Sequence, residues 1–318
     1  MQSLYFDGSR IQVRERPDPI PGPDQVLVRM RWAGVCNTDL EIAKGYMGFR
    51  GVLGHEGVGE VVDGPPEWLG RRVVSEINFA CGTCETCGRG LGRHCPMRSV
   101  MGILDADGTF AERLAVPVRN LHAVPDALTD EQAVFCEPLA AAYEILEQIQ
   151  DVAGQRAIVL GDGKLGLLIA QVLASAGANV TAVGRHPAHL ALLEARSIET
   201  CDAEAFSPEG CDADVVVEAT GAAGGLARAI PAVRPRGTLV LKTTVAEPQT
   251  VDLTPIVINE IQLLGSRCGP FEPALAALAS GAVDVSALIE DRFALANGTD
   301  AIERAAQRGA RKVLIDCE

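Results

Sequence analysis

The sequence predicts an α/β protein of two domains, one with a parallel sheet between helices and one that is mostly β-structure. At 318 residues the chain is too long for one ordinary hydrophobic core. From about Glu137, apolar strands alternate with Ala- and Leu-rich helices, which is typical of βαβ units and a parallel sheet. The first 135 residues are instead rich in Gly, Pro and Val, with short alternating stretches such as QVLVRMRWAGV that indicate strands and turns.

The α/β region divides into elements at its apolar runs. Predicted strands are RAIVLGDG, NVTAVG, ADVVVEATG and GTLVLKTT, and predicted helices are KLGLLIAQVLASAG and HPAHLALLEARS. Continuous apolar runs, in place of strict alternation, indicate a sheet that is buried on both faces. After about residue 267 we expect a helix at EPALAALASG, then a last helix and strand within TDAIERAAQRGARKVLID.

Composition and charge restrict the possible partners. The formal net charge of −14 would repel a phosphate backbone, so we expect no nucleic-acid partner. No apolar run is long enough to span a membrane, and the N-terminus does not resemble a signal peptide. We therefore expect a cytoplasmic protein without a membrane partner. In that reducing compartment, closely spaced cysteines more often bind metal than form disulfides.

A glycine-rich turn, GDGKLG, lies between a predicted strand and a predicted helix. Gly161, Gly163 and Gly166 have the spacing G-x-G-x-x-G, and Lys164 and Leu165 complete the turn. The first glycine allows a tight turn, the second lets the backbone approach a pyrophosphate, and the third lets helix and strand pack closely. The free N–H groups of the helix N-terminus then face the phosphates. The pattern predicts a Rossmann-type dinucleotide-binding domain.

The end of the next strand bears on which dinucleotide binds. An NAD-selective site usually has an acidic residue there to accept from the ribose 2′-OH. Gly184 occupies that position and Arg185 follows it. Glycine would remove the repulsion against a 2′-phosphate and arginine could pair with it, so the sequence favours NADP(H) over NAD(H). The alternative is that Arg185 is an ordinary solvated residue.

Four cysteines lie within fifteen residues of the β-rich part. Their spacing, C-x2-C-x2-C-x7-C, suits one tetrahedral structural zinc with four sulfur ligands, and the alternative is a pair of disulfides. The predicted ligands are Cys81, Cys84, Cys87 and Cys95. Four sulfurs would close the site to substrate.

A second, scattered set of donors could furnish a catalytic zinc, which needs three protein ligands and an open position. Cys36 is followed nineteen residues later by His55, with Glu56 next to it. Cys136 and Glu137 lie where the β-rich region gives way to the α/β region. Singly, each is more often a core or surface residue. The remaining histidines lack partner spacing or lie beside a filled site, and we expect no catalytic role for His94, His122, His186 or His189.

The motifs of the chain follow the order GVCNTD, GHEGVGEVV, the four-cysteine lobe, EPL, GDGKLG and EATG. On the basis of this order, nearly the whole chain resembles the zinc-dependent medium-chain dehydrogenase/reductase family, which includes alcohol and sorbitol dehydrogenases. The resemblance implies a GroES-like catalytic domain at 1–138, a Rossmann domain at 139–266 and a segment 267–318 that completes the catalytic domain. It also implies a homodimer or homotetramer. It does not identify the substrate.

The resemblance also implies roles for single residues. Cys36 and His55 would be ligands of the catalytic zinc, and Glu56 would lie beside the metal or exchange onto it. Glu137 of EPL is the favoured third ligand, with Cys136 as its rival. Thr38 would accept the proton of the substrate alcohol. Thr220 would lie near the nicotinamide ribose and Lys312 would reach a cofactor phosphate.

The expected activity is hydride transfer between a nicotinamide cofactor and an alcohol or polyol, with zinc polarising the substrate oxygen. Two alternatives remain at this stage, a carbonyl reductase acting on a metabolic intermediate and a non-catalytic cofactor-binding sensor. A third hypothesis, a zinc-ribbon module that binds nucleic acid, is disfavoured by the net charge of −14. Substrate identity, stereochemistry, direction and subunit number do not follow from these motifs.

Overall fold

The computed structural model describes residues 1–244 and 250–318 and divides the chain into two compact units. The first unit comprises Met1–Glu137, Ala274–Ala279 and Leu288–Glu318, and the second comprises Pro138–Pro273 and Ser280–Ala287. The segment 267–318, which we expected to complete the first domain as a whole, is thus divided between the two units.

The first unit is built mainly of short strands. Its strands up to residue 123 are β1 (Gln2–Phe6), β2 (Ile11–Glu15), β3 (Gln25–Gly34), β4 (Gly51–Val52), β5 (Glu56–Asp63), β6 (Arg72–Ser75), β7 (Asn78–Phe79), β8 (Ser99–Met101), β9 (Asp105–Ala106), β10 (Arg113–Pro117) and β11 (Leu121–Ala123). Its helices over the same stretch and just beyond are α1 (Asn37–Ala43), α2 (Glu85–Gly88) and α3 (Asp130–Ala133).

The second unit alternates strands with helices. Its elements, in order, are α4 (Cys136–Gln148), which begins in the first unit, β12 (Arg156–Leu160), α5 (Lys164–Ser175), β13 (Asn179–Gly184), α6 (Pro187–Glu194), β14 (Glu199–Asp202), β15 (Ala213–Glu218), α7 (Gly225–Ala229), β16 (Val233–Leu241), α8 (Thr254–Ile258) and β17 (Gln262–Gly265). The chain ends with α9 (Phe271–Ser280), β18 (Ile289–Ala294), α10 (Gly298–Ala305) and β19 (Lys312–Asp316).

The six strands of the second unit form a wholly parallel sheet in the order β14-β13-β12-β15-β16-β17. β12 and β15 lie in its middle, and their sequences are apolar runs because consecutive residues, which point to opposite faces, are buried. The reversal of strand order between β13-β12 and β15 is the place where such sheets bind dinucleotides. This is the α/β domain that the sequence predicts.

The main sheet of the first unit has seven strands, in the order β11-β6-β5-β3-β19-β18, with β10 also paired to β3. Two sheets of three strands, β2-β1-β4 and β7-β8-β9, complete the unit. β19 lies antiparallel to β3, so the C-terminal strand enters the middle of a sheet formed by the first part of the chain. That pairing brings Lys312, the first residue of β19, next to the end of β3.

None of the helices in the described part of the chain has the length and apolarity that crossing a membrane requires.

Candidate functional site

A cluster of side chains that could bind a metal forms where β3 ends and β5 begins. Cys36 is the N-cap residue of α1, two residues after β3, while His55 and Glu56 enter β5. Gly34 of β3 pairs with Glu56 across the antiparallel ladder, which brings the two segments together. One ligand atom from each of Cys36, His55 and Glu56 lies within 4.8 Å of the others.

Asp39, a residue that our sequence analysis did not single out, holds this cluster together. It is fully buried, and its Oδ2 accepts from the Cys36 backbone N–H at 2.9 Å while its Oδ1 accepts from Gly54 N–H at 3.2 Å. Oδ1 also lies 3.3 Å from Nδ1 of His55. A carboxylate behind a metal-ligating histidine fixes the orientation of the imidazole. The signal in the sequence was Asp three residues after Cys36, where a capping box would place it.

Two buried polar atoms of the cluster have no hydrogen-bond partner among the described residues, namely His55 Nδ1 and Glu56 Oε1. The contact of Nδ1 with Asp39 is short enough for an ion pair but does not have hydrogen-bond geometry. Unsatisfied buried atoms are rare, and a cation bound beside Oε1 of Glu56 is one explanation for that atom. Thiolate, imidazole and carboxylate form the mixed donor set of a catalytic zinc, so these residues fit that metal.

The charges of the cluster act on one another. Burial alone would lower the pKa of His55, but the negative charges of Asp39 and Cys36 outweigh it and raise that pKa well above its usual value. Burial also disfavours the charged form of Lys312. The negative charges of Glu56 and Cys36 outweigh this effect and raise the pKa of the Lys312 ammonium. The acidic groups of the cluster therefore favour positive charge beside them.

Lys312 is buried at the cluster and its Nζ forms an ion pair with Oε2 of Glu56. Its ammonium also lies 5.5 Å from the centre of the Phe135 ring. We expected Lys312 to reach a cofactor phosphate. The structure instead directs it inward, because the carboxylate of Glu56 compensates the buried ammonium.

The two candidates for a third ligand lie at the start of α4. Cys136 is fully buried, whereas Glu137 is half-buried, and the carboxylate of Glu137 acts on Lys312 by contributing to the rise of its pKa. Thr38, in the first turn of α1, has its Oγ1 3.8 Å from Sγ of Cys36. The hydroxyl therefore lies beside the sulfur of a predicted ligand.

The four-cysteine lobe has the geometry of a closed metal site. The sulfur atoms are 3.5 Å apart in the pairs Cys81–Cys95 and Cys84–Cys87, 3.7 Å in Cys84–Cys95 and 3.9 Å in Cys81–Cys87. Zinc–sulfur bonds in a tetrahedron place sulfurs about 3.8 Å apart. Disulfide sulfurs are bonded at about 2.05 Å, so these cysteines are not disulfides.

Backbone N–H groups favour the thiolate form of two of the four cysteines. N–H groups of Thr83 and Cys84 lower the pKa of Cys81 to about 6, and N–H groups of Cys81 and Met97 lower that of Cys95. Burial and the neighbouring thiols raise the pKa of Cys87 to about 12 without a metal. A cation among the sulfurs would favour the thiolate form of all four.

In the second unit, the glycine-rich turn joins β12 to α5. Gly161 has φ +118° and its N–H donates to Val183 O at 2.9 Å. Gly163 is the N-cap residue of α5, and a Cβ there would meet nothing within 4 Å. A Cβ on Gly166 would lie 1.9 Å from Gly161 O. The first and third glycines are therefore required by the fold, and the second leaves open space at the helix N-terminus. Lys164 and Leu165 begin the helix.

The carboxylate of Asp162, inside this turn, reaches the end of β13. Its Oδ2 accepts from the N–H groups of Arg185 at 2.9 Å and His186 at 2.6 Å. A Cβ on Gly184 would lie 2.4–2.5 Å from the Asp162 side chain. We expected Gly184 to replace the acidic side chain that would repel a 2′-phosphate at this position. The structure corrects that reason, because Asp162 puts a carboxylate against Gly184 and leaves no space for a side chain.

Arg185 is exposed after β13. Thr220 follows β15, and its N–H and Oγ1 both donate to Oε1 of the buried Glu218, at 2.9 and 2.5 Å. Glu218 therefore fixes the turn after β15 at the same carboxyl edge of the sheet as the glycine-rich turn. The structure thus places Gly161, Arg185 and Thr220 along one edge.

Comparisons with known proteins agree with a two-domain dehydrogenase fold. Residues 22–126 match the alcohol dehydrogenase GroES-like domain and residues 165–280 match the zinc-binding dehydrogenase domain. A sorbitol dehydrogenase of Halalkalibacterium halodurans is 30% identical over 325 residues, covering 95% of this chain and 94% of that protein. The chain belongs to the zinc-dependent medium-chain dehydrogenase/reductase family.

Solved structures show the same likeness over the whole chain. A zinc-binding dehydrogenase from Sinorhizobium meliloti 1021, bound to NADP, is 29% identical with a TM-score of 0.91, covering 99% of this chain and 98% of the other. An alcohol dehydrogenase from Escherichia coli CFT073, complexed with NADH, is 26% identical with a TM-score of 0.91 over 99% of both chains. The predicted fold class, a Rossmann-type domain with a GroES-like domain, is confirmed, and the protein is an oxidoreductase of the alcohol and polyol dehydrogenase type.

Proposed function

We propose that this enzyme oxidises a hydroxyl of an alcohol or polyol, or reduces the corresponding carbonyl, with a preference for NADP(H), at a zinc ion held by Cys36, His55 and Glu137. The observation that supports the metal is the cluster of Cys36, His55 and Glu56 within 4.8 Å, where Oε1 of Glu56 is buried and has no hydrogen-bond partner among the described residues. Zinc bound there would supply a Lewis acid for the substrate oxygen. The sorbitol dehydrogenase relative supports the polyol class.

Each residue around the metal has a separate task in this proposal. Asp39 orients the His55 imidazole through Nδ1. Lys312 pairs with Oε2 of Glu56 and keeps that carboxylate beside the metal without leaving its charge unbalanced. We assign Glu137 as the third ligand because it faces the same ammonium from the start of α4. Thr38 accepts the hydrogen bond of the substrate hydroxyl and releases its own hydroxyl proton toward solvent as it takes up the substrate's, so it relays the proton.

A second zinc in the four-cysteine lobe is the structural metal of the proposal. Sulfur separations of 3.5–3.9 Å support it, since they match a tetrahedron of zinc–sulfur bonds. Between its first and last cysteine the lobe has the four-residue helix α2 and a 3-10 turn at Gly92–His94, so the metal would stabilise its fold directly. The sulfurs of the lobe are too far apart for disulfides, which favours a reducing compartment, and we therefore propose the cytoplasm.

The preference for NADP(H) rests on Arg185. Its guanidinium is exposed at the end of β13, where it can pair with a 2′-phosphate bidentately. The carboxylate of Asp162 opposes that preference, but Oδ2 already accepts from two backbone N–H groups and lies 3.0 Å from Nδ1 of His186. Those donors offset its charge. Solved relatives contain either nicotinamide cofactor, NADP in one and NADH in the other.

A homodimer, or a tetramer built from dimers, is the proposed assembly. β17 is the outer strand of the parallel sheet, and large apolar side chains are exposed on it and on α8 before it. Val257 and Ile258 are 74% and 73% exposed, and Leu253 and Leu263 are also exposed. An exposed strand edge beside apolar residues favours pairing with a second chain. Light scattering after size-exclusion chromatography would measure the mass directly.

The experiment that tests the function is a hydride-transfer assay with a series of polyols and their ketoses, followed by the absorbance of reduced nicotinamide. We expect turnover of a polyol with NADP+, a rate about 100-fold lower in Thr38→Val, and an unchanged rate in the control Thr200→Val, which removes a hydroxyl of β14. Cofactor binding without turnover of any alcohol or carbonyl would refute the enzyme and favour a sensor. Turnover confined to carbonyl reduction would favour the reductase.

A further inference from the structure

One ring atom near the dinucleotide turn is buried without a partner. Nε2 of His186 has no hydrogen bond to any part of the chain that the structure describes, although the side chain as a whole is about a third exposed, at 32%. His186 is the N-cap residue of α6 and comes two residues after β13. Unpartnered buried polar atoms are uncommon, and a ligand that binds at the exposed third of this side chain is one way to satisfy the nitrogen.

The ring is held firmly from its other side. Nδ1 of His186 lies 3.0 Å from Oδ2 of Asp162. The ring of His189, one turn along α6, lies 4.7 Å from that of His186, and Nδ1 of His189 lies 2.8 Å from the backbone oxygen of Asp162. With Nδ1 donating to the carboxylate, Nε2 is the nitrogen that remains for a ligand.

Asp162 also sets the position of Arg185. The carboxylate accepts from the N–H groups of Arg185 and His186 together, and it occupies the space that a side chain at Gly184 would need. One side chain of the glycine-rich turn therefore fixes the backbone of both residues that follow β13. Arg185 and His186 are therefore held side by side at the carboxyl end of β13.

The place of this pair in the fold identifies the ligand. In a parallel sheet of this kind, the adenosine ribose of the dinucleotide lies at the end of the strand that follows the glycine-rich turn. A phosphate on the ribose 2′-oxygen carries nearly two negative charges and accepts hydrogen bonds only, so it matches a guanidinium and an imidazolium. A ring that donates from both nitrogens would contact Asp162 through Nδ1 and the phosphate through Nε2.

We propose that His186 is a second residue that binds the 2′-phosphate of NADP(H), and that Asp162 is the positioning residue for both His186 and Arg185. This inference rests on the proposed preference for NADP(H). It assigns a function to His186, which the sequence pattern did not indicate, and to an acid inside the glycine-rich turn.

A metal ion is the other ligand that this group could take, because Asp162, His186 and His189 offer donor atoms within 4.8 Å of one another. The contacts favour the phosphate. Oδ2 of Asp162 already accepts from two backbone N–H groups, and Nδ1 of His189 already bonds a backbone oxygen, so a metal would compete with the contacts that shape the turn.

The test uses fragments of the cofactor, so that activity does not enter the result. Isothermal titration calorimetry measures the binding of adenosine 2′,5′-bisphosphate and adenosine 5′-monophosphate to the zinc-loaded wild type and to His186→Ala, His186→Gln and Asp162→Asn. The control is His122→Ala, which removes an imidazole from the first unit. Metal content is measured on every sample.

We expect His186→Ala to weaken the bisphosphate about tenfold, the loss of one charge-assisted hydrogen bond, and to leave the monophosphate within about twofold. His186→Gln retains a donor and should lose less. Asp162→Asn should also weaken the bisphosphate selectively. His122→Ala should match the wild type.

Three results would overturn the inference. They are equal weakening of both fragments by His186→Ala, stronger binding of the bisphosphate by Asp162→Asn, and a zinc equivalent in the wild type that His186→Ala alone removes. If wild type itself does not prefer the bisphosphate, the proposed NADP(H) preference fails. If wild type prefers it and the His186 variants keep that preference, only the present inference fails.

Discussion

Asp39 Oδ1 lies 3.3 Å from Nδ1 of His55, and the same carboxylate accepts from the backbone N–H groups of Cys36 and Gly54. One fully buried side chain thus orients both segments that provide the predicted zinc ligands. Such outer carboxylates govern how tightly a metal is held, because they fix the ring and increase its basicity.

Asp39→Asn should therefore weaken the catalytic metal site without removing a ligand. We expect metal affinity about 10- to 100-fold lower, measured as faster loss of one zinc to a chelator while the lobe zinc stays. Asp316→Asn, on β19, is the matched control and should lose zinc at the wild-type rate. Equal rates in Asp39→Asn and wild type would show that the carboxylate does not support the metal.

The buried pair Lys312–Glu56 makes a prediction about stability. Lys312→Met should lower the free energy of unfolding by about 3 kcal/mol, because it leaves Glu56 buried with an uncompensated charge. The double variant Glu56→Gln, Lys312→Met should recover most of that loss. Urea denaturation of the metal-loaded proteins measures both, and a double variant no more stable than Lys312→Met would contradict the pairing.

Two glycines of the dinucleotide turn should respond differently to alanine. Gly166→Ala places a Cβ 1.9 Å from Gly161 O and should cost about 2 kcal/mol or more of folding stability. Gly163→Ala meets nothing within 4 Å and should fold within about 0.5 kcal/mol of wild type. Its Cβ would instead block the approach of the pyrophosphate, so we expect cofactor binding at least about tenfold weaker. Thermal melts and cofactor titration of both variants separate the two effects.

A pH-dependent contribution comes from Glu131 and Arg292, which form two hydrogen bonds of 2.6 and 2.8 Å in the first unit. The hydrogen bonds from Arg292 lower the pKa of Glu131. A lowered carboxyl pKa adds stability above the unfolded value of about 4.3, and this stability is lost as the pH falls through the folded value.

Arg292→Gln should thus be less stable at pH 7 by only about 0.5 kcal/mol, because the guanidinium is 48% exposed, and no less stable in strong acid. Chemical denaturation at several pH values measures the difference. A deficit that persists in acid would mean that Arg292 stabilises the fold by packing and not by charge.

Local patterns in the sequence predicted much of this protein. β12, α5 and β13 follow the apolar runs, and the spacing of Cys81, Cys84, Cys87 and Cys95 indicated a metal lobe that the sulfur distances support. Strands β14 and β18 were missed, because ETCD and IEDRFA are largely polar and only partly buried. A strand at the edge of a sheet need not show an apolar run.

Contacts between distant segments could not be predicted in this way. Lys312 meets Glu56 across 256 positions because β19 pairs with β3, and one sequence contains no signal for that pairing. Asp162 meets Gly184 for a similar reason, since parallel strands bring their carboxyl ends together. Both contacts changed the roles that sequence reasoning had given to Lys312 and Gly184.

The central claim is that the chain has a catalytic metal site at Cys36 and His55 apart from its four-cysteine lobe. Metal analysis of purified protein, compared with Cys36→Ser and with the control Cys201→Ser, tests it most directly. We expect two zinc ions per chain in the wild type and in Cys201→Ser, and one in Cys36→Ser with activity lost. One zinc in the wild type, or two in Cys36→Ser, would contradict the claim.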